Sequence, residues 1–254
     1  MLFPCTVKTY QYRRRLTSRK KRKRARVVTE KADMIIDLHV HEELFSSCSR
    51  MSLEDAITFA RYHGLDAMCI TNHNSLDIAE SDLLRTADFP VFVGVEVSTR
   101  QGDMLAFGLH SLPRLTPTAQ EFIDFVAGQD GFSCAAHPFR AWNNVLGNCL
   151  DRLRGLDGVE VLNGGNDDEE NSRALRACER LGLVALGGSD AHCGKDVGRC
   201  ATWFPEAVTS LQELIRAMKN GRCRPVTRSP DGTYRIGDDA AAIHCGLTFP
   251  MPPA

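Results

Sequence analysis

The sequence predicts an α/β protein built as one (β/α) barrel, with a mostly parallel sheet that is closed or nearly closed. Three observations lead there. From Met34 onward, short apolar runs suited to strands alternate with amphipathic runs suited to helices. Five short clusters of histidine and carboxylate each sit where an apolar run stops, and a barrel brings the C-terminal ends of its parallel strands to one face. The chain has 254 residues, of which 43% are hydrophobic and 25% charged, enough for one substantial core.

Taken in order, Met34 to His39 reads as the first strand and Leu53 to His63 as a helix. Ser52 with Asp55 suits a capping box there, and Gly64 suits the helix end. Ala67 to Thr71 is the next strand, followed by a helix within Ser75 to Ala87. Val91 to Val97 and Met104 to Leu109 are successive strands joined by Arg100-Gln101-Gly102-Asp103. A helix from Ala119 to Ala127 leads to the strand Phe132 to Ala136. Gly158 to Leu162 and Val184 to Leu186 are strands with a helix near Glu170 to Leu181 between them, and Leu211 to Lys219 is a last helix ended by Gly221. Six or seven strands favour a small or distorted barrel over the eight-stranded form. Residues 34–222 hold this domain. Residues 223–254, where Pro, Gly and Asp dominate, read as an appendage rather than a second domain.

The net charge of -1 hides an asymmetry. Residues 1–33 carry twelve Lys and Arg against Glu30 and Asp33, and the remainder carries nineteen basic and thirty acidic residues. The basic segment lacks apolar periodicity and reads as a disordered extension. Its functional alternative is a targeting arm or one that contacts nucleic acid through residues 13–26. The acidic body would repel a phosphate backbone at long range unless metals or a local basic patch reverse the field at the site. The ten cysteines are scattered singly with no CxxC, and several fall inside apolar runs, which points to a reducing compartment and a cytoplasmic location. No run of about 18 apolar residues suggests a membrane span.

The chemistry is concentrated in Asp37-Leu38-His39-Val40-His41, Thr71-Asn72-His73-Asn74, Gly94-Val95-Glu96, Ala136-His137-Pro138 and Gly188-Ser189-Asp190-Ala191-His192. Five of the eight histidines lie in these clusters. Residues two apart on a strand point the same way, so His39 and His41 can face one site, and Asp190 with His192 can repeat the arrangement. Glu96 has an apolar neighbour on each side, where an uncompensated carboxylate would be costly to bury. One HxH pair is weak evidence of a metal, because a satisfied buried histidine is more common than a ligand. Five clusters that converge at strand ends are strong evidence. His63, in the last turn of a helix, and His244, in the tail, are poor candidates.

These residues resemble the PHP (polymerase and histidinol phosphatase) family of metal-dependent phosphoesterases. The resemblance rests on Asp37 to His41, Ile70 to Asn74, Gly94 to Ser98, Ala136 to Arg140, Gly158 to Asn163, and Gly187 to His192 with Asp196-Val197-Gly198-Arg199. It implies a distorted seven-stranded barrel of the PHP type holding two or three divalent ions (Mn, Zn, Fe or Mg). Carried over position by position, it implies that His39, His41, Glu96 and Asp190 hold one metal. Glu96 bridges to a second metal that also takes His137, and His73 and His192 supply a third. Asp103 stands where many members have histidine, and it would favour Mn²⁺ or Mg²⁺ over Zn²⁺. His110, one strand-length later, is the alternative ligand. Ser46 to Ser49 replaces a segment that often carries Asp or His, and Asn72 replaces an Asp that could orient a histidine.

The expected chemistry is hydrolysis of a phosphate ester of a small metabolite, a nucleotide or a short nucleic-acid end by a metal-bound hydroxide. Asp190 and His192 are the catalytic candidates, with His192 able to protonate the leaving oxygen. Arg140 is the candidate phosphate clamp, its alternative being a structural salt bridge. Hydrolysis of C–N bonds and a non-catalytic metal-binding scaffold are the rival functions.

Overall fold

The computed structural model describes residues 33–142 and 144–235. The basic segment 1–33, apart from Asp33, therefore lies outside the described residues, as do residues 236–254 of the expected appendage. Ten strands form one sheet: β1 (Met34–Val40), β2 (Ala67–Ile70), β3 (Val91–Ser98), β4 (Asp103–Phe107), β5 (Phe132–Ala135), β6 (Gly158–Asn163), β7 (Val184–Gly188), β8 (Cys200–Phe204), β9 (Arg224–Arg228) and β10 (Tyr234–Arg235). The helices are α1 (Leu53–Tyr62), α2 (Asp82–Thr86), α3 (Ala119–Ala127), α4 (Asp168–Leu181) and α5 (Leu211–Lys219). Local chemistry sets their starts. Thr118 with Glu121 and Asp167 with Glu170 form reciprocal capping boxes on α3 and α4. Ser52 caps α1 by accepting from the Asp55 N–H, one half of the box expected there.

The strand order is β10-β9-β8-β1-β2-β3-β4-β5-β6-β7. Two features correct the expectation. The sheet is mixed: β1-β2-β3 and β5-β6-β7 are parallel, whereas β4 runs antiparallel to both neighbours and β8, β9 and β10 are antiparallel in succession. The strand count is ten, not seven, among the described residues. The additional strands lack a legible pattern. Cys200–Phe204 does not alternate because it is almost wholly buried, and β9 (Arg-Pro-Val-Thr-Arg) contains a proline, tolerated because β10 covers only its last two residues. Residues 224–235, read as part of an appendage, thus add two strands to the sheet, and Val226 is buried in the core. At the other edge β7 returns to the start of the sheet, where Gly187 and the Thr202 side chain exchange hydrogen bonds and Val40 bridges to Ala191.

Apolar residues from seven strands, among them Ile36, Leu38, Phe107, Phe132 and Phe204, pack with Leu214 and Met218 of α5 into one core. Two further apolar layers lie under α3–α4 and under α1. The β1 register shifts between Asp37 and Val40. Before the shift, Ile36 and Leu38 belong to the core that α5 covers, and past it Val40 packs in the α1 layer while His39 and His41 turn to the site. Such an irregularity re-aims side chains without ending the strand.

Asp37 anchors this turn. Its carboxylate accepts the backbone N–H groups of His39, Ser189 and Gly198 at 3.2, 2.9 and 2.8 Å. Burial nevertheless pushes its carboxyl up to about 6. Asp37→Ala leaves three buried donors unpaired at about 1–3 kcal/mol each. A thermal-denaturation midpoint many degrees below wild type is expected, and an unchanged midpoint would show that the three amides find other partners.

Candidate metal centre

Each cluster arrives from a strand end. His39 and His41 come from the end of β1, and His73 from the residues after β2. Glu96 lies near the end of β3, and Asp103 opens β4 opposite Ser98. His137 follows β5, and Asp190 and His192 follow β7. His73 bridges to Glu96, while Glu96 donates its N–H to the Asn72 carbonyl and accepts from the Asn74 N–H, so the β2 loop is sewn to β3. His137 and Asp190 adopt positive φ angles of 28° and 54°. For non-glycine residues this strain is held only by surrounding structure, and it clusters at functional sites.

The side chains form three overlapping groups: His39, His41, Glu96 and Asp190; Glu96, Asp103 and His137; and His41, His73 and His192. In the first, the two imidazole Nε2 atoms lie 3.0 Å apart. Glu96 Oε2 stands 3.3 and 3.2 Å from them, and Asp190 Oδ1 stands 3.4 and 3.3 Å away. Four ligands at about 2.0–2.1 Å from one ion would stand roughly 3.3 Å apart. The other edge of each ring is committed. His39 Nδ1 donates to Glu160 Oε1 at 2.9 Å, and His41 Nδ1 lies 3.4 Å from Ser46 Oγ, whose own proton goes to Asn72. Both inner nitrogens therefore present lone pairs to two carboxylate oxygens. Such a set of acceptors needs a cation between them.

Two buried atoms without hydrogen-bond partners, Glu96 Oε2 and His137 Nδ1, fit the same requirement. Burial opposes charge on His39, yet Glu160, Asp190 and Glu96 outweigh it and raise its proton affinity well above the ordinary value. A proton there feels the negative potential that a divalent ion would feel. Burial likewise opposes ionisation of Glu96 and Asp190, but the histidines around them hold both carboxyls well below the usual range. Toward the mouth the balance reverses. Burial, with the charges of His41 and His39, lowers His73 to about 4 despite Glu96, and His192 is also lowered. Both side chains remain about one-third exposed, at 34%. His192 Nδ1 donates to the Asp190 carbonyl at 2.9 Å, which leaves Nε2 to ligate or to carry a proton.

Asp103 is brought beside Glu96 and His137, and its carboxylate accepts from the Asn144 side chain at 3.2 Å. His110 lies past the opposite end of β4, exposed, with its N–H on Gln129. Arg140 is buried. Its Nη1 pairs with Asp190 Oδ2 at 2.8 Å, Nε donates to Asn166 and Nη2 to Asn163. In this arrangement the guanidinium holds the outer oxygen of Asp190, the structural alternative to a phosphate clamp.

Sequence reasoning passed over Glu160. It accepts from His39 Nδ1, the His137 N–H and the Asn163 side chain, and it fixes two candidate ligands at once. The signal was present, because Val159-Glu160-Val161 on β6 repeats the apolar–Glu–apolar pattern of Val95-Glu96-Val97 on β3. Asn72 was read as the loss of an orienting acceptor. Its Oδ1 accepts from Ser46 Oγ, the hydroxyl that faces His41, so orientation runs through Ser46 instead. Gly188 is needed where β7 passes β1, since a Cβ there would meet His39 Cβ at 2.5 Å and Glu160 Oε1 at 2.7 Å.

Residues 168–223 match the family described as PHP-associated. An uncharacterized protein of Methanocaldococcus jannaschii is 28% identical over 149 residues, which covers 53% of this chain and 85% of that protein. Solved structures share the fold, two larger proteins among them. One is a two-domain protein from Bacteroides vulgatus containing a predicted PHP-like metal-dependent phosphoesterase (TM-score 0.56, 21% identity, 81% of this chain and 69% of that one). The other is the lesion-specific endonuclease Q of Pyrococcus furiosus (TM-score 0.60, 21% identity, 76% of this chain and 57% of that one). Fold and site together define a mixed α/β protein with a cluster of metal-ligating side chains. Over residues 168–223 the chain is similar to the PHP-associated family, and over most of its length it shares the fold of these structures.

Proposed function

We propose that the protein is a metal-dependent phosphoesterase that cleaves phosphate esters at the cluster built on Glu96. The observation that carries this reading is the convergence of His39, His41, Glu96 and Asp190 on one point with acceptors alone facing inward. The PHP-like phosphoesterase and the endonuclease among the structures of like fold support it. Divalent ions bound there would supply Lewis acidity to phosphoryl oxygens and acidify bound water. His39, His41, Glu96 and Asp190 would hold a first ion, and Glu96, Asp103 and His137 a second. His73 and His192, beside His41, would hold a third. Glu160 and Ser46 fix the protons of His39 and His41 on the outer ring edges, so the inner nitrogens stay available. Arg140 keeps Asp190 aimed inward. His192, at the mouth, has an Nε2 positioned to pass a proton to the leaving oxygen.

A metal-reconstituted screen tests the proposal, using p-nitrophenyl phosphate, bis-p-nitrophenyl phosphate, short RNA and an amide substrate. Turnover of a phosphate ester that chelation abolishes and Mn²⁺ or Zn²⁺ restores is expected. Hydrolysis confined to the amide would move the protein to C–N chemistry, and full activity after thorough demetallation would sink the metal mechanism. Asp103→Ala should lower metal content and turnover together, at least ten-fold in turnover, while His110→Ala should change neither by more than two-fold. The reverse pattern, read by metal analysis and steady-state kinetics, would put the ligand at the wrong end of β4.

A further inference from the structure

Outside the metal centre, a cleft of about 730 Å³ opens on the flank of the barrel between the end of α1, the loop after His192 and the β9–β10 turn. Lys195, Arg199 and Arg228 line it, with Tyr62 and His63 on the α1 side. None of the three cations forms a side-chain ion pair among the described residues. The two acids in its lining are engaged locally: Asp196 accepts from the Cys193 thiol, and Asp231 accepts from the N–H and hydroxyl of Thr233. The backbone that carries the three cations is tied together. Arg228 donates its backbone N–H to the Arg199 carbonyl at 3.0 Å and Nη2 to the Lys195 carbonyl at 3.2 Å. Tyr62 is 82% exposed, an aromatic side chain at the lip of a basic cleft.

The cleft lies next to the site. β8 is antiparallel to β1, so Arg199 stands just before the strand at the end of the sheet where His39 and His41 emerge. Lys195 follows His192 by three residues, a reach of at most about 11 Å. Residues 34–254 carry a surplus of eleven negative charges, which repels a polyanion everywhere except where cations are gathered. Unpaired cations with an exposed aromatic ring are the chemistry that holds a single nucleic-acid strand, phosphates on the cations and a base on the ring.

We propose that this cleft binds the phosphodiester strand of a single-stranded oligonucleotide that extends from the metal centre. The inference deepens the phosphoesterase reading and names an oligonucleotide as its substrate class. The test uses the full, metal-loaded chain and a fluorescein-labelled twelve-nucleotide single-stranded DNA with phosphorothioate linkages, read by anisotropy across a range of salt. Lys195→Ala/Arg199→Ala should weaken binding about ten-fold, and the loss of two contacts should flatten the log–log salt slope by about 1.4. Tyr62→Ala should weaken binding about ten-fold with the slope unchanged. All variants keep residues 1–33, so any contribution of that segment cancels between them. Affinity and slope equal to wild type in both variants would overturn the proposal. So would competition by polyglutamate as strong as by unlabelled DNA, which would assign the cleft to an acidic peptide. Turnover of p-nitrophenyl phosphate should stay within two-fold of wild type in every variant. If the wild type hydrolyses no phosphate ester but strand binding still depends on these residues, the phosphoesterase reading fails and the cleft stands.

Discussion

Glu96→Gln is expected to remove at least one equivalent of tightly bound divalent metal and to lower phosphoesterase turnover by several orders of magnitude, with the fold intact. Glu96 belongs to two of the three ligand groups. Its Oε2 lies 3.1 Å from His73 Nδ1 as well as 3.3 and 3.2 Å from the His39 and His41 nitrogens, while Oε1 lies 2.9 Å from His137 Nε2. A single side chain thus links every part of the cluster. Glutamine keeps the shape, but its amide N–H groups can donate to the imidazole lone pairs that otherwise require a cation. The substitution replaces the ion's electrostatic role with two neutral hydrogen bonds. The metal-free variant should therefore melt no lower than the metal-free wild type. The metal-loaded wild type should melt higher than either, because an ion that binds only the folded state stabilises it. Metal analysis after gel filtration, beside melting curves with and without chelator, separates these outcomes. Wild-type metal content in Glu96→Gln would mean that the four converging atoms do not form an ion site.

The strand-end logic was legible because it depends only on residue type at the end of an apolar run, and His39, His41, Glu96 and Asp190 follow it. The preference for Asp103 over His110 came from the family resemblance, which puts a histidine at its position; Asp103 opens β4, and His110 lies past the other end of that strand. What escaped reading depends on pairing across long sequence distances. The contact of Glu160 with His39 spans 121 residues, and that of Arg140 with Asn163 spans 23. No local pattern states such partners. The short link after β3 is what lets β4 turn back antiparallel to it. The β8–β10 extension was not, because a buried strand without alternation and an edge strand with a proline carry no periodic signal. His41 in two ligand groups was likewise hidden, since sequence gives one position per residue and not which neighbours share its ring.

Glu160→Ala should lower metal affinity by about 10–100-fold, although Glu160 belongs to none of the ligand groups. The carboxylate keeps the His39 proton on Nδ1 and so leaves Nε2 unprotonated toward the ion. Without it, His39 can place its proton on Nε2, and that proton must move to Nδ1 before the ion binds. Truncation also strands the His137 N–H and the Asn163 amide in a dry interior, which adds a stability loss of about 1–3 kcal/mol for each donor. Asn163 in turn accepts from Arg140, whose guanidinium holds Asp190, so the disturbance reaches a second ligand by a second route. Glu160→Gln discriminates between the two effects. Its carbonyl oxygen can still accept either the His39 hydrogen bond or the two from the His137 N–H and the Asn163 side chain, so stability should recover in part. Metal affinity should recover only if that oxygen faces His39. A Glu160→Gln protein with wild-type melting but weakened metal binding would show that the charge, rather than the packing, sets the His39 tautomer. Metal titrations by isothermal calorimetry at two pH values read this directly. Tautomer control moves the proton within the ring and releases none, whereas loss of the Glu160 charge lowers the proton affinity of His39, so proton release on binding should fall in the variant. Equal affinity and equal proton release in Glu160→Ala and wild type would leave His39 oriented by something other than Glu160.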